Sequence, residues 1–206
     1  MALLEVENLT VDYPVRGPWL ARRRFLRAVD GVSFNLEAGE TVGLVGESGC
    51  GKSTIAKALV RLETPSAGTV RIAGRDIAAL HGGELRTARK DIQMVFQDPY
   101  GSLNPRLSIR YAIEEVLKLH TGLDAAGRVA RIGELLGMVG LEPEQMNRYP
   151  HQFSGGQRQR IGIARALAAS PRLLIADEPV SALDVSVQAA IINLLSDIRR
   201  RTGTAL

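Results

Sequence analysis

The residues from Gly46 to Ser53 have the types and spacing of a loop that binds phosphate. Their sequence, Gly-Glu-Ser-Gly-Cys-Gly-Lys-Ser, fits the pattern G-x-x-x-x-G-K-[ST]. Glycines let such a loop turn tightly and aim backbone N–H groups at phosphate oxygens, and Lys52 adds a full positive charge. The hydroxyl of Ser53 is suited to hold Mg²⁺. The predicted nucleotide-binding residues are Gly46, Glu47, Ser48, Gly49, Cys50, Gly51, Lys52, Ser53 and Thr54.

Cys50 lies inside this loop, where two interpretations are open. Nearby positive charge could lower the pKa of its thiol and make it reactive. The favoured interpretation is a small side chain that fills a tight backbone position.

A pair of acids, Asp177 and Glu178, follows the apolar run Leu173 to Ala176. In a parallel sheet, ligands bind off the carboxyl ends of the strands, so both acids are predicted to emerge beside the phosphate loop. Asp177 is predicted to hold Mg²⁺, and Glu178 to polarise the water that attacks the γ-phosphate. Neighbouring side chains of a strand point to opposite faces, which suits two roles. Taken alone, an acidic pair is equally a signal for the start of a helix.

A second anion site is predicted where Phe153-Ser154-Gly155-Gly156-Gln157 opens a helix, because helix N-termini present free N–H groups. A chain that binds one nucleotide has no obvious use for two such sites. We therefore expect a dimer in which the Ser154 site of each chain closes on the nucleotide held by the other.

The elements that must position these residues alternate between strand and helix patterns. Thr41 to Val45 and Leu173 to Ala176 are continuous apolar runs, which predicts strands buried on both faces at the centre of a parallel sheet. Val32, Phe34 and Leu36 alternate with polar residues, as in a half-buried strand. The fold class is therefore α/β.

Helical periodicity begins at Ser108, a suitable cap, and continues in a second helix with a stripe from Val129 to Val139. The region from about residue 98 to 157 is thus predicted to be a helical subdomain inserted into one domain that spans residues 1–206. The last predicted helix stops at Gly203.

Composition excludes several other classes of protein. The chain has 206 residues, 45% of them hydrophobic, and a single cysteine, so it forms no internal disulfide and no cysteine-based zinc site. No apolar run is long enough to span a membrane. The net charge of +4 favours anionic ligands, but only 4% of residues are aromatic, which argues against nucleic acid as a partner. Three histidines, His81, His120 and His151, lack metal-ligand spacing.

Over essentially its whole length, the sequence resembles the ATP-binding subunits of ABC transporters. Gly46 to Ser53 is similar to their Walker A motif, and Arg172 to Asp177 to their Walker B motif, with Glu178 in the place of the catalytic carboxylate. Phe153 to Gln157 matches their LSGGQ signature, with Phe in place of Leu. The resemblance implies ATP and Mg²⁺ as ligands, and a P-loop NTPase core with a mostly parallel sheet, an N-terminal antiparallel β subdomain and an inserted α-helical subdomain.

Further roles come from the same resemblance. Gln97 stands at the Q-loop position, where the family senses Mg²⁺ and the attacking water. Ser181 to Asp184 matches the D-loop, which makes Asp184 a candidate nucleotide contact. Tyr13 stands where an aromatic residue stacks on adenine, and the less favoured interpretation is a strand residue facing the core.

Three stretches are similar to the dipeptide and oligopeptide importer branch, which also includes nickel and glutathione importers: residues 97–106, 149–152 and 14–27. The resemblance implies a second ATPase subunit, identical or paralogous, transmembrane permease subunits, and indirectly a solute-binding protein. It places the chain peripherally at the cytoplasmic face of the plasma (inner) membrane, where ATP hydrolysis powers import of peptides or a related solute. The alternative is a non-transport ABC ATPase acting on DNA or ribosomes; the region between Gln97 and Ser154 lacks the sustained heptads of its coiled coils.

The family also has a switch histidine after the strand that follows the last helix. No histidine lies beyond His151 in this sequence. We therefore expect a chain that is incomplete at its C-terminus and hydrolyses ATP weakly, since losing one transition-state contact costs about 10² to 10³ in rate. A regulatory, non-catalytic chain is the other interpretation.

Overall fold

A computed structural model describes residues 2–15, 24–98 and 100–206. Arg22 and Arg23, and with them most of the arginine-bearing stretch 14–27, lie outside the described residues. Contacts divide the chain into two compact units, residues 1–89 with Ala205, and residues 90–204 with Leu206.

The first unit is built on an antiparallel sheet. Its strands are β1 (Leu4–Val15), β2 (Arg24–Leu36), β3 (Ala67–Ile72) and β4 (Arg75–Asp76), in the order β2-β1-β3-β4. The alternation predicted for β2 is confirmed, because Val32 and Phe34 are half-buried and Leu36 is buried while their polar neighbours are exposed. Helix α1 (Lys52–Leu59) follows the phosphate loop, and α2 (Gly82–Asp91) follows β4.

The segment Thr41 to Val45 does not form the central strand that its composition predicts. It has no strand structure and is exposed along its length, with Val45 98% exposed. A strand buried on both faces needs hydrogen-bonded neighbours along its edges. Neither sheet among the described residues includes this segment. The prediction of a buried strand here is therefore wrong.

The second unit contains the parallel part of the fold. Strands β5 (Ile92–Val95) and β6 (Leu173–Ala176) pair in parallel, with Ile92 opposite Leu173 and Val95 opposite Ala176. The helices around them are α3 (Ile109–His120), α4 (Ala125–Met138), α5 (Gly155–Leu167) and α6 (Val185–Thr202). The predicted strand at 173–176 and the α/β class with an N-terminal antiparallel sheet are confirmed.

Local sequence signals fix the ends of these helices. The Ser108 hydroxyl accepts a hydrogen bond from the Tyr111 N–H and caps α3 as predicted. Gly203 ends α6 in the left-handed conformation, with φ of 70°. The apolar faces of the helices form one buried core that includes Ile113, Leu117, Ile132, Leu136 and Ile161. That residues 98–157 form a separate helical subdomain stays a prediction.

Glu114 joins α3 to α4 in the second unit. Its carboxylate accepts a hydrogen bond from Arg128 Nε at 3.1 Å and lies within 4 Å of Lys118 and Arg110. The hydrogen bond from Arg128, assisted by the two other cations, lowers the pKa of Glu114 below its ordinary value. The carboxylate is therefore an electrostatic link between two helices.

Candidate active site

The phosphate loop is exposed up to Cys50, and α1 begins directly after it. Gly51 precedes the helix with φ of 100°, a backbone conformation that residues other than glycine rarely adopt. A Cβ atom on Gly51 would lie 2.4 Å from the carbonyl oxygen of Ala28 in β2. Glycine is required here for both reasons. The N-terminus of α1 carries the partial positive charge of the helix dipole, which favours a bound anion.

Lys52 folds back across the loop. Its Nζ donates hydrogen bonds to the carbonyl oxygens of Gly46 and Glu47, each at 2.9 Å. The Cys50 Sγ lies 3.9 Å from the same Nζ, and a Cβ built on Gly46 would come within 2.7 Å of that sulfur. Cys50 is exposed, and its thiol lies beside Gly46 and the Lys52 ammonium; its role as a small packing residue stays a prediction. Ser53 and Thr54 are half-buried in the first turn of α1.

Tyr13 is half-buried near the end of β1. It lies two residues after Val11 and therefore on the same face of the strand. Val11 pairs with Val29, and a Val29 methyl carbon lies 3.5 Å from the position of a Cβ on Gly51. Tyr13 thus stands on the sheet face that carries the phosphate loop. This placement suits the adenine contact that the resemblance implies, which stays a prediction.

In the second unit, Asp177 and Glu178 leave β6 in different ways. The Asp177 N–H donates to the Val95 carbonyl at 3.0 Å, which extends the parallel pairing by one residue, and its side chain is buried. Glu178 has φ of 42°, in the left-handed region. We predicted that both acids lie on the strand and that their side chains point to opposite faces of the sheet. This prediction is wrong for Glu178, because the chain turns there. Such strain costs about 1–3 kcal/mol and clusters at functional sites.

Gln97 and Glu178 lie in direct contact although 81 residues separate them. The Gln97 Nε2 donates to Glu178 Oε2 at 3.0 Å and to Ser181 Oγ at 3.2 Å. The Ser181 hydroxyl donates in turn to the backbone carbonyl of Glu178 at 3.1 Å. Sequence analysis missed Ser181 as a partner of the acid. The available signal was its position three residues after Glu178, the spacing of a turn closed by a side chain.

Ser154 caps α5 at the signature motif. Its hydroxyl accepts from the Gln157 N–H at 3.3 Å, and the Gln157 side chain accepts from the Ser154 N–H at 3.0 Å. Gly155 and Gly156 form the first turn, where backbone N–H groups have no helical partner. A Cβ on Gly156 would lie 2.5 Å from a Val187 methyl carbon, so α6 packs against this helix end. Asp184 precedes α6, and its side chain makes no capping hydrogen bond.

These predicted residues fall into two sets. The phosphate loop, Thr54 and Tyr13 belong to the first unit, and the acids, Gln97, the signature and Asp184 belong to the second. The structure brings Gln97 and Glu178 together within the second set. The assembly of both sets into one site stays a prediction.

Two other kinds of feature are absent from the residues that the structure describes. No three or more His, Cys, Asp or Glu side chains among residues 2–15, 24–98 and 100–206 are grouped so that they could hold a metal ion. In the same part of the chain, no helix combines the length and apolar character needed to cross a bilayer. His151 stacks on Tyr149, and the His81 ring contacts the Ala79 carbonyl.

Comparison with known proteins connects this geometry to a family. The family model described as "ABC transporter" matches residues 29–181. The "Probable peptide ABC transporter ATP-binding protein y4tS" of Sinorhizobium fredii is 54% identical over all 206 residues, which cover 58% of its length. The "Oligopeptide transport ATP-binding protein AppF" of Bacillus subtilis is 51% identical over 96% of this chain and 60% of its own length.

A solved structure gives the same result. The dimeric, post-hydrolysis state of the ATP-binding cassette MJ0796, bound to ADP and Pi, matches with a TM-score of 0.85 and 33% identity, over 98% of this chain and 85% of the other. The chain spans about three fifths of the length of the two curated relatives. With a family model matched over most of its residues and relatives above 50% identity along its length, the chain belongs to the ABC transporter family.

Proposed function

We propose that this chain binds and hydrolyses ATP, and that the hydrolysis powers import of peptides through an ABC transporter. The proposal of ATP hydrolysis rests on the hydrogen bond from the Gln97 amide to the Glu178 carboxylate. Glu178 directly follows the buried Asp177 in the chain. An acid held in place by an amide is suited to orient and polarise a water molecule. Glu178 is the proposed general base.

The triphosphate is proposed to bind along the loop from Gly46 to Ser53. Lys52 would exchange its two backbone carbonyl partners for phosphate oxygens, which are stronger acceptors because they are charged. The N-terminus of α1 adds its partial positive charge. Tyr13, on the same sheet face, would contact the adenine ring, and Asp184 would contribute from the D-loop.

Mg²⁺ is the proposed metal, and the available donors suit it. It is a hard cation that prefers few protein oxygens together with phosphate oxygens and water. Ser53 offers a hydroxyl, Asp177 a carboxylate, and Gln97 the Oε1 of an amide whose Nε2 already faces Glu178. When bound, the ion would neutralise charge on the phosphates. The residues of the chain would hold the nucleotide in line with the attacking water.

The second nucleotide contact is proposed to come from a partner ATPase subunit, identical or paralogous. Ser154 and the N–H groups of Gly155 and Gly156, with Gln157, would face the γ-phosphate bound to the partner. Support comes from the similar cassette MJ0796, which is described as a dimer bound to ADP and Pi.

The peptide-import assignment rests on the relatives, whose names refer to peptide and oligopeptide transport. The partners proposed on this basis are transmembrane permease subunits and, through them, a solute-binding protein. The chain would lie peripherally at the cytoplasmic face of the membrane.

The test uses Glu178→Gln, which keeps the contact with Gln97 but removes the base. With ATP and Mg²⁺, this variant is expected to elute from size-exclusion chromatography with light scattering at twice its monomer mass, and to show no turnover. The double variant with Lys52→Ala is the control and is expected to remain monomeric, because it lacks the phosphate contact. If Glu178→Gln stays monomeric at saturating ATP, a nucleotide site shared between two identical subunits is refuted.

A further inference from the structure

Three side chains of α5 hold the segment that follows β5, residues 96–98 and 100–102, here called the Q-loop segment. Gln159 Nε2 donates to the carbonyl oxygen of Phe96 at 3.4 Å. The Arg158 guanidinium lies over the ring of Tyr100, 4.2 Å from its centroid. Arg165 donates to the carbonyl oxygen of Ser102. The segment is thus attached near both ends and at its middle to the helix that begins at the signature.

Gln159 is the most buried of these anchors, with 2% of its surface exposed. A buried amide without a partner costs free energy, because water cannot replace the missing hydrogen bond. The distance to the Phe96 carbonyl is long for an N–H···O bond, but burial excludes the competing water. The contact therefore specifies where that carbonyl lies.

The Phe96 carbonyl belongs to the peptide bond that leads to Gln97. A displacement of that peptide moves the Cα of Gln97 directly. The Gln97 amide in turn donates to the Glu178 carboxylate and to Ser181 Oγ. A continuous path of contacts therefore connects the interior of α5 to the carboxylate.

We propose that Gln159 is a positioning residue, which holds the Phe96 peptide and thereby keeps the Gln97 amide within hydrogen-bond reach of the Glu178 carboxylate. The effect of this positioning on catalysis rests on the proposed function. Gln159 stands five residues after Ser154 on one rigid helix. A displacement of the signature end of α5 is therefore passed to the geometry of Glu178.

The first test measures backbone hydrogen exchange of the nucleotide-free chain over residues 96–104, where the Ser102 N–H donates to the Asp98 carbonyl. Gln159→Met keeps side-chain length and removes the donor, and is expected to speed exchange there about fivefold, the effect of losing one ordinary hydrogen bond. Gln145→Met is the matched control, since the Gln145 side chain accepts from the Glu142 N–H away from this segment. Equal exchange in Gln159→Met and the wild type would overturn the proposal.

The second test separates positioning from a general loss of structure. Gln159→Met is expected to lower kcat for ATP by about tenfold to a hundredfold with KM unchanged, the range for a misplaced catalytic group. In a Gln97→Ala background, the same substitution is expected to have no further effect, because the group it positions is gone. An equal fold-loss in both backgrounds would show a merely structural role. Absence of turnover in the wild type would count against the proposed function, while hydrogen exchange would still decide the anchoring.

A second variant covers the case in which Gln159→Met does not fold. Tyr100 is 60% exposed, so Tyr100→Ala removes the contact with Arg158 without opening the core. It is expected to speed exchange over residues 96–104 by about two- to threefold, since an exposed cation–π contact is worth less than a buried hydrogen bond. No change in this variant would show that the contact of Arg158 with Tyr100 does not restrain the segment, and would count against the attachment to α5 on which the proposal rests.

Discussion

Replacement of Gly51 by alanine tests the geometry of the phosphate loop most directly. Two penalties are expected in this variant. For a residue other than glycine, a backbone with φ of 100° lowers the free energy of unfolding by about 1–3 kcal/mol. The new Cβ would also lie 2.4 Å from the Ala28 carbonyl oxygen, where ordinary contact begins at 3.4 Å. Relieving an overlap of this kind costs about another 1–3 kcal/mol.

A gain partly offsets these penalties, because alanine restricts the unfolded chain by about 0.4–1 kcal/mol relative to glycine. The expected loss for Gly51→Ala is therefore about 2–5 kcal/mol in the free energy of unfolding. Urea unfolding of the nucleotide-free chain, followed by circular dichroism, measures it.

Two matched variants isolate the terms. Gly49 has φ of 84° but open space around its Cβ position, so Gly49→Ala carries only the backbone penalty. Gly43 has open space and no such φ, so Gly43→Ala is expected to stay within about 0.5–1 kcal/mol of the wild type. The contact with Ala28 predicts that Gly51→Ala is less stable than Gly49→Ala by about 1–3 kcal/mol. Equal stabilities for these two variants would refute the assigned contact.

Three other predictions concern separate parts of the chain. Lys52→Ala is expected to weaken ATP binding by about 30-fold or more in a fluorescent-nucleotide titration, because a charged hydrogen-bond donor to phosphate is lost; unchanged affinity would count against this loop. Glu114→Gln is expected to cost about 1 kcal/mol above pH 5, since it removes a carboxylate shared by three cations. Because the folded-state pKa of Glu114 is lowered, the stability it gives the wild type is present above its ordinary pKa and is lost as the pH falls through the lowered folded-state pKa. The two unfolding curves should therefore converge at acidic pH. Val45→Thr is expected to change stability by less than about 0.5 kcal/mol because Val45 is exposed, whereas a loss above about 1 kcal/mol would indicate burial.

Signals that act over a few residues were predictable from the sequence. Ser108 caps a helix because its hydroxyl reaches an N–H three residues on, and Gly203 ends one because it tolerates a positive φ. Both depend on the local chain alone. The strand β6 was predicted from its apolar run alone, and the prediction holds because β5 supplies the neighbouring strand that burial requires.

Features that depend on distant residues were not predictable in this way. The apolar run Thr41 to Val45 has the composition of a buried strand, but burial requires neighbours that composition does not supply. Glycine and asparagine are the usual sequence signals of a left-handed turn, and the turn at Glu178 has neither at that position. The contact of Gln97 with Ser181 joins residues 84 positions apart. In each case, tertiary packing decides the result.

In the proposed shared site, the cap at Ser154 would affect how tightly this chain contacts the nucleotide bound to its partner subunit. The hydroxyl oxygen already accepts from Gln157, so its rotation is restricted before any ligand arrives. In the proposed shared site, the hydroxyl would donate its own hydrogen to a phosphate oxygen. A side chain that is ordered in advance loses little conformational entropy on association, and more of the interaction then appears as affinity. In the proposed shared site, this reciprocal pair of hydrogen bonds would order the helix tip before a nucleotide binds.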